Sequence, residues 1–288
     1  MQFPKYWVCA ESTELGPDGT RYPARCWGWS NESESHAKRD AESRARKVAA
    51  MFARGEIPER KYPYGDRPLR EEVLEEFPGP GGNLSAVVTR NGYGCLVLNT
   101  SGAMFVDVDL PERKSDSGIS SLLGSLFGGR KQPTSTPKDE ALVRLKSWLE
   151  TNRQWSVRVY ETKAGLRYLF THRAFDPTES ASIRVLESLG ADPLYITLCK
   201  NQKCYRARLS PKPWRCEYAS PAVRFPFADE QSRANFNEWL TGYEQTAARY
   251  ATCHFLETLG SGSVDLALSP LIELHDRHTR ANEQLPLA

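Results

Sequence analysis

Residues 104–110 read MFVDVDL, an apolar, β-rich run that carries two aspartates one residue apart. Residues i and i+2 of a strand project to the same face, so Asp107 and Asp109 are expected to present two carboxylates side by side at a strand end. Like charges that close either emerge into solvent and ordinary hydrogen bonds, or, if buried together, raise one another's pKa. Mg²⁺ or Mn²⁺ held between Asp107 and Asp109 would satisfy both charges. Such a site serves phosphoryl or nucleotidyl transfer by polarising a phosphate and activating an attacking oxygen.

The flanks of this run suggest its setting. LSAVVTRN, GCLVLNT and AMFVDVDL are three β-rich segments separated by GYG and SG, which predicts adjacent antiparallel strands. FPGPGG breaks the chain before them. After them, residues 112–137 are rich in Ser, Gly and Pro and read as a flexible insertion. Order resumes with a helix in which Ala141, Leu142, Leu145, Trp148 and Leu149 recur at helical spacing. WSVRVYETK and LRYLFTHR then form a strand pair about an AG turn, followed by a helix capped near Thr178. DPLYITLCKNQKCYRARLSPKPWRC reads as a strand pair, or a loop and a strand. One long helix over residues 229–260 and a shorter one around SPLIELHDRHTRANEQ close the chain.

At the other end, KYWVCAES and RYPARCWGWSN predict two strands about the turn GPDGT. The next helix, capped by Ser33 or Ser35, carries an apolar stripe of Ala37, Ala41, Ala45, Val48, Ala49 and Phe52. Arg39, Arg46, Lys47 and Arg54 lie off the stripe. Asp40 with Arg44 and Glu42 with Arg46 are spaced for i,i+4 pairing, so that face is expected to be solvated and charge-paired. PYGDRPLREEVLEEF reads as a turn and a short helix. The expected fold is α/β (α+β), with a mixed, largely antiparallel sheet flanked by helices. Its parts are an N-terminal module over 1–78, a core over 79–222, and C-terminal helices over 223–288 packed on that core.

With 40% hydrophobic and 26% charged residues in 288, the chain fits a globular protein with a sizeable core. A formal charge of +2 excludes a polycationic nucleic-acid wrapper, so any basic surface must be local. No run approaches the roughly 20 apolar residues of a membrane span, and the start lacks a signal-like pattern, so no membrane partner and a cytoplasmic address are expected. Seven scattered cysteines without CxxC suit reduced thiols, and Cys199, Cys204 and Cys216 match no standard zinc spacing.

The succession of an apolar strand ending in D-x-D, a helix, and a strand pair with a glycine turn resembles the catalytic core of the archaeo-eukaryotic primase superfamily, the primase-polymerases. The resemblance covers about residues 84–215. It implies that Asp107 and Asp109 hold the catalytic metal, and that a histidine after the glycine turn meets the incoming nucleotide's phosphates. In TKAGLRYLFTH, Arg167 stands at that position and His172 follows five residues later. Arg167 could grip a phosphate through a bidentate contact but cannot replace an imidazole in proton transfer. A further acidic residue on a later strand is also implied, for which Asp192 is the candidate.

CKNQKCYRARLSPKPWRC holds Lys200, Lys203, Arg206, Arg208, Lys212 and Arg215 with no acidic residue, interleaved with Tyr205 and Trp214. Such cations can neutralise phosphates while aromatic faces stack on bases, unless the arginines pair with acidic groups elsewhere. His275 and His278, one helical turn apart, are expected on a helix surface. No nucleophile elbow, Walker loop, dinucleotide fingerprint or H-E-x-x-H occurs. The function expected is metal-dependent binding or transfer of nucleotides, with single-stranded nucleic acid as partner. The alternative is a non-catalytic nucleic-acid-binding or protein-interaction module that keeps the fold.

Overall fold

The computed structural model describes residues 1, 3–56, 68–111 and 136–288, so the expected insertion at 112–137 lies almost wholly outside the described residues. The chain is α+β, and its strand ladders among the described residues are antiparallel. It divides into two compact units, Met1–Ser101 with Thr197–Tyr250, and Gly102–Ile196 with Ala251–Ala288. No described helix is long and apolar enough to cross a membrane.

The first unit opens with the expected hairpin, β1 (Tyr6–Leu15) and β2 (Arg21–Ser30). Helix α1 (Glu34–Ala53) follows, its first turn capped by the Ser33 hydroxyl. Ala37, Ala41, Ala45 and Ala49 are wholly buried, one per turn, and bring the helix backbone against the hairpin. The approach is so close that a Cβ on Gly28 would lie 2.1 Å from the Ala41 nitrogen. The same unit holds a four-stranded sheet of order β3 (Glu72–Pro78), β4 (Leu84–Arg90), β5 (Leu96–Thr100), β9 (Tyr205–Arg208).

Several expectations are corrected here. Residues 72–78 form a strand instead of a short helix, and because β3 pairs with β4 across FPGPGG, the boundary expected at residue 78 falls inside one unit. Glu72, Glu75 and Glu76, with two register irregularities, suit β3 to a sheet edge, where charge and bulges discourage pairing with other chains. The meander also stops after two strands. β4 and β5 pair, but β6 (Phe105–Asp109) pairs with β8 (Gly165–Phe170) in the other sheet, so the Ser101–Gly102 turn redirects the chain between units instead of closing a hairpin.

In the second unit the strand order is β10 (Cys253–Gly260), β7 (Ser156–Thr162), β8 (Gly165–Phe170), β6. Helix α2 (Pro137–Thr151) starts in a capping box built by Thr136 and Asp139. Helix α3 spans Ser180–Ser188. Residues 193–202, read as a strand or a loop, are helix α4 (Pro193–Gln202): Asp192-Pro193 is a helix-start pair, and burial falls on Ile196 and Cys199, three residues apart. The long closing helix is two elements. α5 (Glu230–Ala247) stops well short of residue 260, and β10 adds a strand beside β7. Burial along β10 alternates after a bulge at Phe255–Glu257, the strand period that a helical reading overlooked. Helix α6 (Ser269–Thr279) follows. Residues 223–288 are thus shared between the two units and form no helical layer of their own.

Candidate functional sites

Register places Asp107, the central residue of edge strand β6, directly opposite Arg167 of the inner strand β8. Gly165, which starts β8, allows this pairing, because a Cβ there would meet the Val108 carbonyl oxygen at 2.0 Å. The Arg167 guanidinium is buried and grips Asp107 with two bonds, Nε to Oδ1 at 2.7 Å and Nη2 to Oδ2 at 2.9 Å. Its third nitrogen, Nη1, lies 3.3 Å from Nε2 of His275 on α6. His275 is fully buried, not on a helix surface: Leu271, Ile272, Leu274 and His275 together make the buried side of α6.

The network continues through Asp276. His275 Nδ1 lies 3.1 Å from Asp276 Oδ1, which also accepts the Tyr160 hydroxyl at 2.7 Å, while Arg158 donates to Oδ2 at 2.6 Å. A carboxylate partner requires Nδ1 to carry the proton, leaving the Nε2 lone pair to accept from Arg167. Burial lowers the His275 pKa to about 4, against the opposing pull of the Asp276 hydrogen bond. Burial would also lower Arg167, but the Asp107 charge and hydrogen bonds hold it above its ordinary value. Two arginines, two aspartates and a neutral histidine therefore balance to zero among themselves.

That balance bears on the metal. Both Asp107 oxygens already accept from Arg167, so Mg²⁺ or Mn²⁺ would have to sit beside a buried guanidinium and compete with it. No group of three or more His, Cys, Asp or Glu poised for a cation occurs among the described residues. Asp109 is exposed at the strand end, opposite Gly165. In this arrangement Arg167 engages both of the Asp107 oxygens that a two-aspartate metal centre would use.

The other sequence candidates scatter. His172 lies beyond the end of β8, five residues from Arg167, on the order of 15 Å at a strand's rise. There it packs against Trp155, with ring centroids 4.5 Å apart, and Phe175. Asp192 is exposed at the start of α4, where its carboxylate accepts from the Leu194 amide at 2.9 Å. In the first unit Arg206 donates to Glu71 at 2.7 Å, and Glu71, itself buried, also accepts from Thr89. Arg208 is half-buried on the same face of β9, and Lys212 sits 5.4 Å over the Trp214 ring.

A different group of residues forms a cleft of about 1000 Å³ within the first unit. Every charged residue described along its wall is a cation: Arg25, Arg44, Lys47, Arg70 and Arg224. Trp7, Trp27, Trp29 and Phe225 supply aromatic surface between them. Period-2 geometry accounts for much of the hairpin's share, since Arg25, Trp27 and Trp29 alternate along β2 with Cys26, which also reaches the cleft, and Gly28, which packs against α1. Trp7 pairs with Trp29 across the ladder, ring centroids 5.7 Å apart. Arg44 reaches Asp40 at 2.8 Å, as its spacing predicted, and its guanidinium lies 3.8 Å from the centre of the Trp29 ring. Arg25 approaches Glu11 at 3.6 Å. The exposed α1 face is therefore only partly charge-paired, and Arg44 and Lys47 belong to the cleft. The signal was present in RCWGW and in the i,i+3 spacing of Arg44 and Lys47, but Arg70 and Arg224 are distant in sequence.

Comparison of the chain with protein families, with characterised proteins and with solved structures finds no match in any of the three.

Acid should destabilise the second unit through His275. Its folded pKa lies below the unfolded value of 6.5, so between about pH 6.5 and 4 the unfolded chain binds more protons and stability falls as pH falls. Of the order of 3 kcal/mol should be lost between pH 7 and 4. His275→Gln, which keeps a hydrogen-bonding side chain without the titration, should flatten that part of the profile of unfolding free energy against pH.

Proposed function

We propose that this protein binds single-stranded nucleic acid without acting on it, holding phosphates in the basic, aromatic cleft of its first unit. The observation that carries this reading is the cleft's wall, where all the described charged residues are cations and four aromatic side chains lie between them. Cations neutralise phosphates and release condensed counterions, while aromatic faces stack on unpaired bases without regard to sequence. A duplex hides those base faces, so the aromatic share of the wall favours a single strand. The Arg167–Asp107 pair supports the non-catalytic form of the reading, because the carboxylate that would hold a catalytic metal serves a buried guanidinium.

The test is fluorescence anisotropy of a labelled single-stranded oligonucleotide over a range of salt. Log affinity should fall linearly with log salt. Combined Arg25→Ala, Lys47→Ala and Arg224→Ala should flatten the slope by about 2, from roughly 0.7 per phosphate contact, and weaken binding at low salt at least tenfold. An unchanged slope in the triple variant would remove the cleft from the reading. Incorporation of nucleoside triphosphates under Mg²⁺ or Mn²⁺ that is lost in Asp109→Asn would instead establish the metal-dependent transferase.

A further inference from the structure

Tyr93 and Trp214 are the feature that the cleft does not absorb. They are 43% and 49% exposed, yet pack against each other with ring centroids 5.1 Å apart and planes at 82°. Neither sits on loose chain. The Asn91 side chain accepts from the amides of Tyr93 and Cys95 and so pins the β4–β5 turn. Trp214 lies in a 3-10 turn between buried Pro213 and buried Cys216. Each ring also carries a cation: Lys212 Nζ is 5.4 Å from the Trp214 centroid, and the Arg224 guanidinium is 5.4 Å from that of Tyr93. Arg224 and Gly92 line the cleft, which makes the ring pair continuous with it.

Large aromatic rings kept half in water on pre-ordered backbone leave apolar area uncovered, and little conformational entropy is lost when a flat partner covers it. The flanking cations select a partner that also carries negative charge. We infer that Tyr93 and Trp214 are a base-stacking platform beside the phosphate-binding cleft, taking bases of the strand whose phosphates Arg224 and Lys212 neutralise. This rests on the proposed nucleic-acid function and adds base contacts at two residues beyond the cleft's own aromatic wall.

The experiment measures dissociation constants of wild type, Trp214→Leu, Tyr93→Leu and Trp214→Phe for three probes: an oligothymidylate, an abasic oligonucleotide of equal length, and inorganic polyphosphate. The wild type should prefer the oligothymidylate. Each leucine variant should weaken it about 5- to 100-fold while the other two probes change less than twofold, and Trp214→Phe should recover most of the loss. Equal losses for all three probes, or no loss for any, would overturn the platform. Polyphosphate binding that ignores the triple cleft variant would sink the cleft reading, and a base-selective loss in Trp214→Leu would still uphold the platform. The leucines retain apolar bulk at two exposed positions, and Trp214→Phe repeats the test with the ring kept.

Discussion

Asp107→Ala should lower stability by about 2 kcal/mol, of the order of 3 °C in melting temperature at roughly 2 cal/mol/K of unfolding entropy per residue. The magnitude follows from what is left behind. Arg167 is 1% exposed whereas the Asp107 side chain is 38% exposed, so removal of the carboxylate leaves a guanidinium that keeps its proton and gains only the water entering where Asp107 stood. His275 cannot take over as counter-ion, since it is neutral where it sits. The double variant Asp107→Leu with Arg167→Met should recover most of the loss, because removing the buried guanidinium along with its partly exposed carboxylate leaves no uncompensated charge. A metal centre predicts the opposite sign. Two unpartnered carboxylates on one strand face repel, so replacing one should stabilise the metal-free protein. Chemical denaturation of both variants, with and without Mn²⁺, therefore separates the two accounts by the direction of the change.

The aspartates illustrate what a sequence can convey. Period-2 geometry placed Asp107 and Asp109 on one face of a strand; the strand ends at Asp109, but Asp107 is its central residue and not at its end. The identity of the neighbour across the ladder was out of reach, because Arg167 is sixty residues away and is brought opposite Asp107 only by the β6–β8 register. Local signals fared well elsewhere: the GPDGT hairpin, the alanine stripe of α1 and the AG turn between β7 and β8 all form as their residues dictate. The failures share a cause. DPLYIT and CHFLET are short segments whose composition suits helix or strand equally, and tertiary pairing decided between them. The cleft needed six separate segments of chain, none of them unusual alone.

Gly28→Ala should be the most damaging single substitution in the first unit, costing both stability and oligonucleotide affinity. The added methyl would lie 2.1 Å from the Ala41 nitrogen and 2.3 Å from the Ala37 carbonyl oxygen, both backbone atoms that no rotamer change can move aside. Relief requires α1 to lift from the hairpin, which opens the packing of Ala37, Ala41 and Ala45, all at zero exposure. Overpacking of this kind costs about 1–3 kcal/mol where side chains can yield, and more where the contact is backbone on backbone. The same displacement reaches the cleft. Arg25, Trp27 and Trp29 stand on the strand that holds Gly28, whereas Arg44 and Lys47 stand on the helix, so the spacing between the two sets of lining residues is fixed by this contact. Affinity for a single-stranded oligonucleotide should fall further than in Lys47→Ala, which removes one exposed cation and leaves the spacing intact. Loss of stability with affinity unchanged under native conditions would show that the phosphate contacts lie on one side of the helix–hairpin packing only.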